Sequence, residues 1–276
     1  MKLIRAVSCW GNEASPPEAL RLAQEWGFEA VEGPVEGLDA IAGAGTPLIA
    51  EIVTGCEPGG YVPDLKRTPD QHLEEFRRKL ELAMAVAPLR ITTMAGCDFW
   101  DFPTACRFFG ELLGIASRAG AEVCIETHRS RPTFHPARTL RLLSELPEMR
   151  LTLDVSHWCV VCERLVPDED PWMTPIEGKV GHLHARVGYD QGPQVPDPRV
   201  ERHAGEREAH LACWGRIAAR HAAAGGEFFT VTPEFGPDGY LQSDPRSGRP
   251  AGDLREINRW TGGRIAARLV ETSMKK

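Results

Sequence analysis

The sequence lacks any apolar run approaching the length of a membrane span, which excludes a helical membrane protein. It also lacks a basic excess. Lysine and arginine number 32 against 39 acidic residues, for a formal net charge of -7. A protein whose main partner is nucleic acid needs a basic footprint, so nucleic acid and membrane are excluded as principal partners. The opening stretch MKLIRAVSCWGNE has no signal-type apolar segment, so the expected location is the cytoplasm. The eight cysteines are scattered, and no second C-x-x-C completes a zinc site with Cys159 and Cys162. They read as small buried hydrophobes in a reducing compartment. No G-x-G-x-x-G and no Walker loop follows any strand-like run. That counts against a doubly wound nucleotide-binding sheet.

What is present is alternation. Short apolar runs recur with helical patterns between them: LIRAVSCW, FEAVEG, PLIAEIVTG, LRITTM, AEVCIETH, RLTLDVSH, VGHLHARVG and EFFTVTPEFG. Strand-then-helix repetition implies a parallel sheet. Eight such units in 276 residues predict an α/β fold of one domain, 1–276, built as a closed (β/α)8 TIM barrel. The segments after the seventh and eighth runs are long enough to cover a site.

In such a barrel the chemistry sits at the C-terminal ends of the strands. The second run ends at Glu32, the fifth at Glu126 and His128, and the sixth at Asp154 with His157 one turn on. The seventh ends at His182, His184 and Arg186, and the eighth at Glu234. Trp10 with Glu13, and Asp98, Trp100 and Asp101, follow the first and fourth runs. Asp154 alone also reads as a helix cap. Four consecutive strand ends with ligand-type side chains favour a metal set of Glu126, Asp154, His184 and Glu234. Three carboxylates and one imidazole suit a hard or borderline divalent cation, Mn2+ first, with Mg2+, Co2+ or Zn2+ compatible. Without a cation, three buried carboxylates repel one another. His182 alternates with His184 and reads as a layer beneath it. Trp10, Trp100 and Trp158 read as sugar-stacking rings or as core. Arg129 and Arg131 read as solvated loop charges, with binding of an anionic group near the mouth as the alternative.

Taken in order, IETH, LTLDVSHW, HLHAR and TPEFG resemble the xylose isomerase-like barrels, in particular their sugar phosphate isomerase and epimerase branch. The resemblance covers nearly the whole chain. It implies a metal-dependent isomerase or epimerase of carbohydrate metabolism that removes a proton next to a carbonyl through a metal-bound enediolate. It implies Glu126 and Glu234 as the acid/base pair. Among substrate-binding residues it implies His157, with Arg186 near a substrate-contacting arginine. His128, Trp10, Glu32 and Trp158 complete the expected substrate-facing set. A carbohydrate is the expected partner, and the resemblance is compatible with a homo-oligomer. The same site supports a lyase or dehydratase, or a non-catalytic binding barrel. A nuclease of the tri-zinc type would need more strand-end histidines and a basic groove.

Overall fold

The computed structural model describes residues 1–166, 172–237 and 239–274; Asp238, in the long segment after the eighth strand, lies outside them. Eight strands close into a barrel in chain order: β1 Lys2–Ser8, β2 Ala30–Pro34, β3 Leu48–Val53, β4 Arg90–Met94, β5 Val123–Glu126, β6 Arg150–Leu153, β7 Val180–Ala185 and β8 Phe228–Pro233. Every neighbour pair is parallel. The ring closes where Lys2, Leu3, Ile4 and Arg5 register with Phe228, Phe229, Thr230 and Val231. The fold predicted from the alternation is the fold observed.

The helices are α1 Pro16–Trp26, α2 Pro69–Ala85, α3 Phe102–Arg118, α4 Pro136–Glu145, α5 Val155–Val161, α6 Met173–Glu177, α7 Ala204–Ala223 and α8 Leu254–Met274. Their starts follow local chemistry. Thr68 and Gln71 form a reciprocal capping box at α2. Asp101 accepts the Thr104 N–H and caps α3, so this strand-end acid serves a helix rather than the mouth. Ser15 precedes the two prolines of α1 without a side-chain cap bond, and Gly27 ends the helix at φ 66°.

Side chains alternate along each strand, and that alternation sorts the protein into two compartments. Val7, Val31, Ile52, Ile125, Leu151, Leu183 and Val231 face the helices and form the main core with residues such as Phe76, Phe108 and Leu112. The other set points into the barrel. Its floor is a small apolar cluster of Ile4, Ala6, Ala30 and Ile49. Above it lies a polar layer in which Thr92 and Thr152 share a 2.6 Å hydrogen bond across the barrel and His182 meets Thr230 at 2.8 Å. The next inward positions, Glu51, Glu126, Asp154, His184 and Glu234, reach the open end. The cysteines are free, and Cys9, Cys97, Cys124, Cys159 and Cys213 are buried. Among the described residues no helix is long and apolar enough to cross a membrane.

Candidate active site

β7 supplies the centre of the site. Its period of two puts His182, His184 and Arg186 on the inner face, all of them buried. Glu32 of β2 reaches across the barrel to both imidazoles: Oε1 is 2.9 Å from His184 Nε2 and Oε2 is 3.3 Å from His182 Nε2. With Nε2–H of His184 donating to Glu32, its Nδ1 presents a lone pair. That Nδ1 lies 3.5 Å from Glu126 Oε1 and 3.3 Å from Glu234 Oε2, both acceptors. Neither His184 Nδ1 nor Glu126 Oε2 has a hydrogen-bond partner, and both are buried. Three acceptors turned on one point require a positive charge there, a proton or a metal ion. Ligand atoms of Glu126, His184 and Glu234 lie within 4.8 Å of one another. Oxygen and imidazole donors on one point, with a carboxylate orienting the imidazole from behind, fit a divalent cation.

Electrostatics at this centre are strongly perturbed. Burial alone would lower the His184 pKa, but Glu234, Glu32 and Glu126 override it and hold the imidazolium well above its ordinary range. Burial raises the Glu126 carboxyl, with Glu234 and Asp154 adding to it against the pull of His184. Glu32 is desolvated too, yet the two histidines hold it well below the usual carboxylate range.

Asp154 combines both of its sequence readings. One oxygen accepts from the Ser156 N–H at 2.9 Å and from the Ser156 hydroxyl at 2.5 Å, capping α5. The other oxygen accepts from Nη2 of Arg186. The same Nη2 is 3.4 Å from Glu234. The third carboxylate of the expected metal set is therefore held by a guanidinium beside the trio of Glu126, His184 and Glu234.

The loops behind the strands pin these groups. Thr127 Oγ1 accepts the Asp154 N–H at 2.9 Å and donates to the Asp154 carbonyl at 3.0 Å, stapling the ends of β5 and β6. Past Glu234, Asn258 of α8 accepts the Phe235 N–H at 2.7 Å. Gln194, from the long segment after β7, bonds both polar groups of Gly236. Trp10 lies so close to Gly236 that a Cβ there would sit 2.1 Å from its ring.

The mouth opens into a cavity of ~1200 Å³ whose wall includes Trp10, Glu51, Tyr61, Glu126, His128, Arg186, Glu234 and Tyr240. Trp10 and His128 of the expected substrate-facing set line it, as does Arg186. Three expectations need correction. Trp158 is wholly buried and donates its indole N–H to Thr133, so it is core. Glu32 spends both oxygens on His182 and His184 and stands behind the site. His157 is 0% exposed, with its ring nitrogens 3.2 Å from Arg129 and 3.1 Å from Arg186. It stands behind the wall, between two guanidiniums. Trp100 likewise packs on His72 and Phe108.

Other residues were missed or misread. Glu51 lines the cavity; burial first, then Glu32, Glu126 and Glu234, push its carboxyl up to about 8. Its signal was an acid inside the apolar run LIAEIV. Tyr61 and Tyr240 lie on loops, where strand-end reasoning has no purchase. Arg131 is not a solvated charge: it is 0% exposed and donates to the carbonyls of Thr54, Gly96 and Tyr61 and to Cys56 Sγ. Arg129 is half-buried, its guanidinium 4.8 Å from the Tyr240 ring centroid.

No family model and no curated protein matches the chain. Solved structures do. D-psicose 3-epimerase with D-tagatose, from Clostridium cellulolyticum H10, aligns at TM-score 0.62 and 14% identity over 98% of this chain and 99% of that one. The IolI protein with a bound zinc atom aligns at 0.64 and 13%, over 98% and 99%. A xylose isomerase-like TIM barrel protein from Mycobacterium smegmatis, in complex with magnesium, aligns at 0.61 and 13%, over 96% and 97%. At such identities the likeness speaks to fold, and the motif order read from the sequence agrees with it: this chain has the fold of the xylose isomerase-like TIM barrels.

Proposed function

We propose that the chain is a divalent-metal-dependent isomerase or epimerase of a sugar or sugar derivative, with Glu126, His184 and Glu234 as the ligands and Glu126 and Glu234 as the acid/base pair. One observation carries this reading: the unpartnered His184 Nδ1 turned on two carboxylates, with Glu32 behind it. Asp154 completes the set where Arg186 releases its second oxygen. A divalent cation, when bound, polarises a carbonyl and its neighbouring hydroxyl and so acidifies the carbon between them.

The chain's own groups supply the rest. Glu126 comes from β5 and Glu234 from the end of β8, flanking the His184 strand from two sides. One carboxylate takes the proton from the substrate carbon and the other returns it. Return to the same carbon gives an epimer, and return to its neighbour gives an isomer. Glu51, whose carboxyl burial and the neighbouring carboxylates push up to about 8, lines the same cavity. Trp10 and Tyr240, 5.4 Å apart edge-to-face, give the wall apolar surface for a sugar's C–H face.

The test is a carbohydrate panel in deuterated water with the metal-loaded protein. The expected result is deuterium at a carbon next to a carbonyl, together with an epimer or isomer product. Glu126→Gln and chelation should each cut the exchange by at least about 100-fold. Product formed without solvent label would contradict the acid/base assignment, and absence of exchange across the panel would contradict the activity.

A further inference from the structure

Arg186 has more donors than its surroundings satisfy. Its Nη2 is taken by Asp154 and lies 3.1 Å from His157 Nε2. Its Nε reaches Ser156 Oγ at 3.3 Å. Its Nη1 has no partner, although the residue is only 2% exposed and lines the cavity. A guanidinium carries five N–H donors and no acceptor. A buried donor of that kind left unmet is costly.

The neighbouring imidazole makes the surplus worse. Arg129 Nη1 meets one nitrogen of His157 at 3.2 Å, and Arg186 meets the other. An imidazole offers at most one acceptor nitrogen, and none when protonated, so it cannot satisfy both guanidiniums in any state. The charges show the same imbalance. Asp154 and, at 3.4 Å, Glu234 answer Arg186. Arg129 pairs with no carboxylate among the described residues; its recorded contacts are His157 and the Tyr240 ring. Tyr240 packs against both guanidiniums, its centroid 4.5 Å from Arg186 and 4.8 Å from Arg129. This wall of the mouth therefore holds one guanidinium, Arg129, that meets no carboxylate among the described residues, beside a buried N–H pair on Arg186 that no acceptor meets.

We propose that the substrate carries a carboxylate, received by Nη1 of Arg186 with Arg129 supplying the balancing charge. The substrate class is then a sugar acid or another polyhydroxy carboxylate, rather than a neutral sugar. This rests on the reading of the mouth as a carbohydrate site. A carboxylate matches the planar fork of a guanidinium and supplies the counter-charge that Arg129 lacks. A phosphate ester brings about two charges to a wall that already holds Asp154 and Glu234.

The test is calorimetric binding to the full chain, before and after chelation of metals. The probes are D-gluconate, D-glucuronate and D-glycerate, against D-glucitol, D-glucose and glycerol, with inorganic phosphate and D-glucose 6-phosphate as the anion control. The carboxylates should bind about tenfold tighter than their neutral counterparts. Arg186→Lys, which keeps a cation against Asp154, should erase that preference. Arg129→Gln, at a half-buried position, should reduce it by about threefold. Equal affinity for acids and neutral probes, tighter binding of the phosphates, binding of none of the probes, or a preference that survives Arg186→Lys would each overturn the proposal. Neutral sugars that bind and exchange deuterium would sink the carboxylate alone. Acids that bind through Arg186 without exchange under any metal would sink the isomerase reading and leave the anion site.

Discussion

His184 shows how one side chain is given a direction. Its Nε2 is tied to Glu32, so its Nδ1 has one way to point, toward Glu126 and Glu234. Partners behind a metal-ligating histidine set its tautomer and orientation. Glu32→Gln should therefore weaken divalent-metal affinity by about 10–100-fold although no ligand is removed. Titration calorimetry with Mn2+ checks this, and an unchanged affinity would mean that Glu32 does not orient the site. At this scale the sequence was informative where a titratable residue ended a strand: Glu126, Asp154, His184 and Glu234 were all visible. It misled where a side chain's partner came from a distant element. Nothing near His157 announces that Arg129 and Arg186 would flank its two nitrogens. Nothing near Arg131 announces three carbonyls from two other loops.

Buried polar groups pin parts of the fold in addition to the apolar pattern. Arg131, just beyond β5, binds the loop after β3 through Thr54 and Tyr61 and the loop after β4 through Gly96. Arg131→Met would leave three carbonyls without their donor, at about 1–3 kcal/mol for each that water cannot reach. Chemical denaturation should show a loss of at least about 2 kcal/mol, and a stability equal to wild type would mean that the loops hold themselves. On α2, His72 is buried against Thr54 and Trp100. Desolvation, with Arg131 and Arg67 adding, lowers its pKa from 6.5 to about 4. Between those values the unfolded chain binds a proton that the native state refuses. Stability should therefore fall as pH drops through this window, with His72 contributing up to about 1.4 kcal/mol per pH unit. His72→Gln should flatten the slope by that share, and an unaltered slope would contradict the assignment. The capping box of α2 and the prolines and glycine bounding α1 are local signals. Asp101 lies where strand end and helix start are only a few residues apart, so its position alone does not separate a cap from a mouth residue.

For the molecule as a whole, period-two runs alternating with helical runs were enough to read the barrel, since the same pattern that buries one strand face against helices leaves the other for the interior. That interior grades from Ile4, Ala6, Ala30 and Ile49 at the floor, through threonines and His182, to carboxylates at the mouth. A gradient of this kind concentrates negative charge at one end of a closed barrel. Glu51 belongs to it and went unread because its run looked like core. The concentration is unfavourable unless a cation sits among the carboxylates. Elemental analysis of the protein after loading with Mn2+ and removal of excess, beside Glu234→Gln, tests this most directly. About one ion per chain in the wild type and a marked loss in the variant is the predicted result. No retained ion under any loading would contradict it, and the mouth would then be a polar binding surface without metal chemistry.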